Sequence, residues 1–165
     1  MMPAEPIVVN RGEGGRRVKT LLFLLACTVA GAASQKIRPA HVPAPVRHAL
    51  QRRFPGLRRI EWKVKSDNNY EAEFRLKGVE VAAKFDPAGS WLETESAISK
   101  ADLPGAVRES VSQRFHGYRI VETQTVERPG GKPILYELHL DNRWELLKLQ
   151  LDRGGKVVSK SGKPE

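Results

Sequence analysis

The sequence predicts an α+β protein made of two tandem helix-plus-antiparallel-sheet modules. Three observations lead there. The chain repeats its own pattern after 61 residues, each copy opens on apolar residues four apart, and each copy then alternates apolar and charged residues with period two.

Val42-Pro43-Ala44-Pro45-Val46-Arg47 returns as Leu103-Pro104-Gly105-Ala106-Val107-Arg108, 61 positions on. The spacing holds for Leu50 and Val111, Phe54 and Phe115, Gly56 and Gly117, and Ile60 and Val121. An insertion then widens it to 66 for Tyr70-Glu71 and Tyr136-Glu137, Phe74 and Leu140, Val81 and Leu147, and Phe85 and Leu151. It closes on Asp86 and Asp152, then Gly89 and Gly155. So many ordered matches set the modules at 41–99 and 100–160, after a leader and signal peptide at 1–32 and before a tail at 161–165.

Val46, Leu50 and Phe54, and again Val107, Val111 and Phe115, form one apolar stripe on a helix. The prolines before each stripe suit a first turn; Pro55-Gly56 and Gly117 end the helices. Arg47, Arg52 and Arg53 fall on the other face. Strands are expected at about 60–65, 70–77, 79–85 and 91–95, and then at about 120–127, 134–141, 144–151 and 156–159. Short turns such as Asp86-Pro87-Ala88-Gly89 favour antiparallel hairpins.

Alternation then assigns the faces. Ile60, Trp62, Val64, Tyr70, Ala72, Phe74, Leu76, Val79, Val81, Ala83 and Phe85 should cover the first helix. Glu61, Lys63, Lys65, Glu71, Glu73, Arg75, Glu80 and Lys84 should point away from it. In the second copy Tyr136, Leu138, Leu140, Leu147, Leu149 and Leu151 oppose Glu137, His139, Lys148 and Gln150. One module of about 60 residues buries little apolar surface. Two side by side can join edges into a sheet of about eight strands with both helices on one face.

Residues 18–34, VKTLLFLLACTVAGAAS, have the layout of a secretory signal peptide: a lysine, an apolar core, then the small Ala30-Gly31-Ala32. The run from Leu21 to Ala33 is shorter than the roughly 20 residues a bilayer requires. The destination expected is periplasmic or secreted. Reading Val18 as the start would give Met-Lys-Thr-Leu-Leu-Phe, a typical opening, while the residues after Arg16-Arg17 do not fit a twin-arginine signal. Leu24-Leu25-Ala26-Cys27 is the alternative, a lipoprotein anchored through the chain's single cysteine. Thr28-Val29-Ala30 stays apolar where a polar tether would follow, which weighs against it. The body beyond the leader holds no cysteine, so disulfides, thiol catalysis and thiolate metal sites are excluded there.

Val42-Pro43 through Phe54-Pro55-Gly56, Glu61-Trp62, Tyr70-Glu71-Ala72-Glu73-Phe74, Phe85-Asp86 and Trp91-Leu92-Glu93-Thr94-Glu95 together resemble the PepSY-like, beta-lactamase-inhibitor-like family. The resemblance covers nearly the whole body and is weaker in the second copy. It implies an exported protein of tandem modules with no cofactor and no agreed activity. It also implies inhibition or chaperoning of another protein as the kind of role to expect. No inhibitor loop of the family is matched here.

The candidate binding surface is the outward sheet face, with Glu71, Glu73, Arg75 and Lys84, and Trp91 beside them. The plain alternative is a solvated outer face, since alternating charge is what a one-sided antiparallel sheet requires. Among Trp62, Trp91 and Trp144, parity puts Trp62 in the core and leaves the other two near turns. Glu93 and Glu95 read as a surface pair on one strand. His41, His48, His116 and His139 are scattered, so no metal site is proposed, and no serine-histidine-acid arrangement or phosphate loop appears. No catalytic residue and no cofactor are therefore expected, and the function expected is a non-catalytic binding module or a structural or sensory envelope protein.

The formal charge is +9; beyond the leader 24 basic residues face 17 acidic ones. Arg52, Arg53, Arg58 and Arg59 cluster around Phe54, but export makes nucleic acid an unsuitable partner. An unidentified protein and an anionic envelope surface are the partners expected. Export carries a direct test: the mature chain should begin at Ala33 and be recovered outside the cytoplasm, as intact-mass analysis of fractionated cells would show. A full-length cytosolic species refutes it, and an acylated chain starting at Cys27 selects the lipoprotein route.

Overall fold

Proline opens and glycine closes the helical segments, and the period-two stretches between them become strands. The computed structural model describes residues 34–164; the signal-peptide reading and Cys27 lie outside them. Helices α1 (Ala44–Arg53) and α2 (Gly105–Arg114) have ten residues each, with Pro43 and Pro104 at their N-caps. A short 3-10 turn precedes each, at Pro39–His41 and at Lys100–Asp102. The helices end alike. The Phe54 N–H donates to the Leu50 carbonyl at 2.8 Å, and the Phe115 N–H to the Val111 carbonyl at 2.9 Å.

The strands are β1 (Gln35–Ile37), β2 (Ile60–Val64), β3 (Tyr70–Leu76), β4 (Val79–Phe85), β5 (Trp91–Ala97), β6 (Arg119–Glu127), β7 (Leu135–Asp141), β8 (Glu145–Leu151) and β9 (Val157–Pro164). They form one open sheet in sequence order, every neighbouring pair antiparallel. Helix α1 occupies the connection from β1 to β2, and α2 the one from β5 to β6.

Register shows that both helices share a face. Trp62 stands opposite Ala72, Ala72 opposite Ala83, and Ala83 opposite Thr94. The same side continues through Ser96 opposite Thr125, then Thr123 opposite Leu138 and Leu138 opposite Leu149. On this side Val46, Ala49 and Leu50 of α1 bury Trp62, Ala72, Phe74, Val81, Ala83 and Phe85. Val107 and Val111 of α2 bury Leu138, Leu140, Leu147, Leu149 and Leu151. A ten-residue helix is short of the roughly 12–15 residues that hold alone in water. Each fully buried valine or leucine adds about 1.5–3 kcal/mol, so the sheet stabilises the helices rather than the reverse.

Two hairpin turns seat the helices. In the β4–β5 turn the Asp86 carboxylate accepts the Ser90 N–H at 2.8 Å, and in the β8–β9 turn Asp152 accepts the Lys156 N–H at 3.0 Å. Each turn contains a glycine at positive φ, Gly89 at 86° and Gly155 at 81°. A Cβ on Gly89 would sit 2.6 Å from the Pro45 carbonyl oxygen, and one on Gly155 closer still to that of Ala106. The first turn of each helix therefore rests on a glycine backbone.

Several expectations are corrected. The sheet has nine strands, not about eight, because Gln35–Ile37 pairs with β2 ahead of the first expected element. Strand β9 runs to Pro164, through the residues read as a tail. Leu76 and Val79, expected under α1, are 36% and 42% exposed at the tip of the β3–β4 hairpin. Trp144 lies in the turn before β8, not in the strand. Phe54 and Phe115 do occupy equivalent helix ends, but each is half-buried beside its core.

The seating of the helices is testable by alanine. At Gly56, with φ 80°, an added Cβ would meet nothing within 4 Å, so Gly56→Ala should cost only the conformational term of about 1–2 kcal/mol. Gly89→Ala and Gly155→Ala should cost distinctly more, because the helix must also lift. Denaturant unfolding of the three variants measures this, and equal losses would show that the turns do not carry the helices.

Candidate functional site

The face of the sheet turned away from both helices carries the charged residues of the alternation. Its first half is a ladder of ion pairs. Lys65 Nζ stands 3.1 Å from Glu71 and Lys84 Nζ 3.2 Å from Asp67, while Lys63 pairs with Glu73 and Arg75 with Glu80. Glu71, Glu73, Arg75 and Lys84 are thus brought onto one face across β3 and β4, as read from the sequence. They are not equally available: Glu71 is buried, Glu73 and Lys84 are half-buried, and Arg75 is exposed.

Trp91 is not with them. It packs against the α1 core on the opposite face, donates its indole N–H to Thr94 Oγ1 at 2.9 Å, and lies 3.4 Å beneath the Arg53 guanidinium. Parity at the start of β5 is broken by the register shift between Lys84 and Phe85, which rotates Trp91 to the helix side.

The second half of the outer face is built around a carboxylate with no exposed side-chain surface, Glu137. Lys148 Nζ lies 2.6 Å from it, and the side-chain amides of Gln124 and Gln150 each donate to it at 2.7 Å. His139 bridges onward, with Nε2 3.4 Å from Glu137 and Nδ1 2.7 Å from Glu122. Arg128 closes the far side, donating to Glu93 at 3.1 Å and to Gln150 at 3.2 Å. Cross-strand register assembles the cluster: Gln124 faces Glu137, Glu137 faces Gln150, and His139 faces Lys148.

Burial and charge compete here, and the outcome differs from group to group. Burial opposes ionisation of Glu137, but the nearby His139, the Lys148 ammonium and the bond from Gln150 outweigh it and hold the carboxyl at about 2. His139 is likewise opposed by burial, yet Glu122 and Glu137 hold it protonated up to about 9. Glu95 shares the cluster without such support. Burial, and then the neighbouring Glu137 charge, push its carboxyl up to about 7 against the Lys148 ammonium 3.9 Å away. Glu93 and Glu95, read as a surface pair, are each only 20% exposed at the side chain.

Alternation places Glu137, His139, Lys148 and Gln150 outward, which is where they lie, but it gives no sign of their burial. The signal is pairwise: charged and amide residues facing each other on three consecutive strands can cover one another. Among the described residues no group of histidine, cysteine, aspartate or glutamate is arranged to hold a metal ion, and no helix is long and apolar enough to cross a membrane.

The sequence model of the family described as "Putative beta-lactamase-inhibitor-like, PepSY-like" matches residues 68–158, which take in both halves of this face but leave out α1 and β2. No curated protein sequence matches the chain. Among solved structures the chain is similar to one titled a "putative periplasmic" protein from Bacteroides eggerthii, at 18% identity and TM-score 0.66, over 74% of this chain and 89% of that one. It is similar to a DUF2874-family protein from Bacteroides uniformis at 17% identity and TM-score 0.64, over 74% and 88% of the two chains. A BLIP-like protein from Bacteroides fragilis shares 22% identity and TM-score 0.60, over 74% and 86%. At these identities the likeness is one of fold.

Glu95 yields a prediction with a defined sign. Unfolded, it releases its proton near the ordinary value of 4.5; folded, it keeps the proton to about 7. The folded chain thus binds more protons across this window, and stability falls as pH rises through it. Glu95→Gln removes that fall. The variant should melt like the wild type near pH 4.5 and be more stable by about 1–3 kcal/mol at pH 8. Thermal unfolding across pH measures the difference, and a pH-independent offset would refute the assignment.

Proposed function

The chain belongs to the beta-lactamase-inhibitor-like, PepSY-like family, and from that premise we propose that it is an exported, non-catalytic binding module made of two tandem copies of one unit. Its role is to hold a protein partner on the outer face of its sheet, modulating a secreted or envelope enzyme. The observation that carries this reading is that, among the described residues, both helices cover one face and leave the other open across nine strands. That open face is a preset pattern of charge, fixed by Lys148, Gln124 and Gln150 around Glu137 rather than by mobile surface side chains. Fixed groups lose little freedom on binding, which favours recognition.

The family's description by likeness to an inhibitor supports binding rather than catalysis. The eggerthii protein's description as periplasmic supports export, together with the signal-like segment at 18–34. The matched helix caps, the two cores and the two glycine-seated helices support the tandem reading. One observation favours a second reading, a structural or sensory envelope protein. Lys63, Lys65, Arg75 and Lys84 already have carboxylate partners on the face, as a merely solvated surface would.

A charge-reversed pair separates the two readings. Arg75→Glu with Glu80→Arg, a swap within one pair exposed at 69% and 68% of the side chains, should melt within about 0.5 kcal/mol of wild type, since exposed charges contribute little to the fold. It should lose a partner captured from periplasmic extract by the wild type, because like charges placed together at an interface cost several kcal/mol. Titration against purified β-lactamases tests the inhibitory form of the proposal directly. Unchanged capture by reversals in both halves of the face would leave the structural reading.

A further inference from the structure

An antiparallel sheet in sequence order sorts its connections between two ends. The turns β2–β3, β4–β5, β6–β7 and β8–β9 emerge at one end; the hairpins β3–β4 and β7–β8 emerge at the other, with both helix-bearing connections. The two ends differ in chemistry. Three of the four turns at the first end contain an aspartate, Asp67, Asp86 or Asp152, and the exposed Lys132, Arg153 and Lys156 lie at this end as well. The hairpin tips at the second end contain no aspartate, and each places a basic residue at positive φ, Lys77 at 51° and Arg143 at 75°.

More of the exposed apolar surface is at this second end, although Ile134 (48% exposed) and Val158 (55%) lie at the first. Trp144, next to Arg143, is 78% exposed, and Leu76 and Val79 flank the other tip at 36% and 42%. Arg58 and Arg59, leading into β2, are exposed there as well. Carboxylates at this end are engaged elsewhere: Glu80 with Arg75, Asp141 with Arg119, and Glu145 with the Tyr118 hydroxyl. Among the described residues no side-chain nitrogen of Lys77, Arg143, Arg58 or Arg59 lies within 4.0 Å of a carboxylate, although the Arg143 backbone N–H donates to Asp141 at 2.7 Å.

We propose that this end of the sheet docks on an anionic lipid bilayer surface, with Trp144, Leu76 and Val79 entering the headgroup layer and Lys77, Arg143, Arg58 and Arg59 facing lipid phosphates. An indole prefers that layer, where its ring is apolar and its N–H stays wet. Basic residues beside it add attraction to negative lipid. The two tips are four strands apart, about 19 Å at the usual strand spacing, farther than one small molecule would bridge and within the reach of an extended surface. The proposal does not rest on the outer face.

The test uses vesicles of phosphatidylethanolamine with phosphatidylglycerol, and of phosphatidylcholine alone. Because residues 18–34 are themselves apolar, all proteins are compared in one processed form read by intact mass. Asparagine tolerates positive φ, so Lys77→Asn with Arg143→Asn removes two charges while keeping both turns. Wild type should sediment with the anionic vesicles only, and less so as salt rises. The double variant should melt normally and partition roughly thirtyfold more weakly, the worth of two surface charges at such a bilayer. Trp144→Ala should weaken binding and abolish the vesicle-induced blue shift in emission. Failure of the wild type to sediment overturns the proposal. So does equal sedimentation of the double variant, or a Trp144 that acrylamide still quenches on the vesicle, which would assign this end to a protein partner or to solvent.

Discussion

Two ten-residue helices lie on the same face of a nine-stranded sheet, and most of the molecule follows from that shortage of cover. At about 10 Å across, each helix shields two or three strands. The apolar residues track this. One core lies over β2, β3 and β4 and the other over β7 and β8. Between them β5 and β6 present Thr94, Ser96, Thr123 and Thr125 on the helix side, where no helix would bury an apolar residue. The gap is closed by polar reach instead. Arg53 extends from the end of α1 across the Trp91 ring to Glu127, and Thr123 Oγ1 donates to the Ile98 carbonyl at 2.7 Å. An aromatic ring beneath a guanidinium gives this seam apolar contact without a third helix.

The uncovered face has the opposite problem. Among the described residues no helix packs on it, so its long side chains pack on one another. Where lysine and glutamate merely alternate, over β2 to β4, the result is a ladder of partly exposed pairs of the kind that adds little stability. Where amides are interleaved, over β6 to β8, the result is different in kind. Gln124 and Gln150 satisfy Glu137 from both sides, which lets a charged carboxylate sit fully buried without a helix above it. The cost of that arrangement appears on Glu95, which lies near the same charge with only a distant lysine in support.

Periodicity carries most of the fold. The helix stripes, the hairpin turns and the helix-facing residues follow from spacings of four and two, because those spacings are fixed by backbone geometry. The departures have local causes. Strand β1 is three residues, too short to show alternation, and is specified only by its pairing with Trp62, Lys63 and Val64. Trp91 escapes parity because a register shift precedes it, and a one-residue slip changes a side chain's face. Trp144 reads as the start of a strand, although Asn142-Arg143 before it forms a turn in which Asn142 accepts two backbone N–H groups. Glu71, Glu73, Arg75 and Lys84 lie on the face that alternation gives them, yet their differing burial depends on neighbours across the sheet, which one strand's sequence does not report.

An open sheet offers a partner three kinds of surface: its edges, its face and its ends. Here the edges are poorly suited to recognition. Strand β1 is only three residues long, and β9 carries Lys160, Gly162 and Pro164, residues that discourage another strand from adding on. The face and the basic, apolar end remain, and they share no essential residue: Glu73, Glu95 and Glu137 belong to one, Lys77, Arg143 and Trp144 to the other. They are also set roughly at right angles. A bilayer meeting the hairpin tips would hold the strands upright and leave the outer face standing clear of the lipid. The two proposed contacts are therefore geometrically compatible, and a protein partner on the face would be presented beside the membrane rather than masked by it.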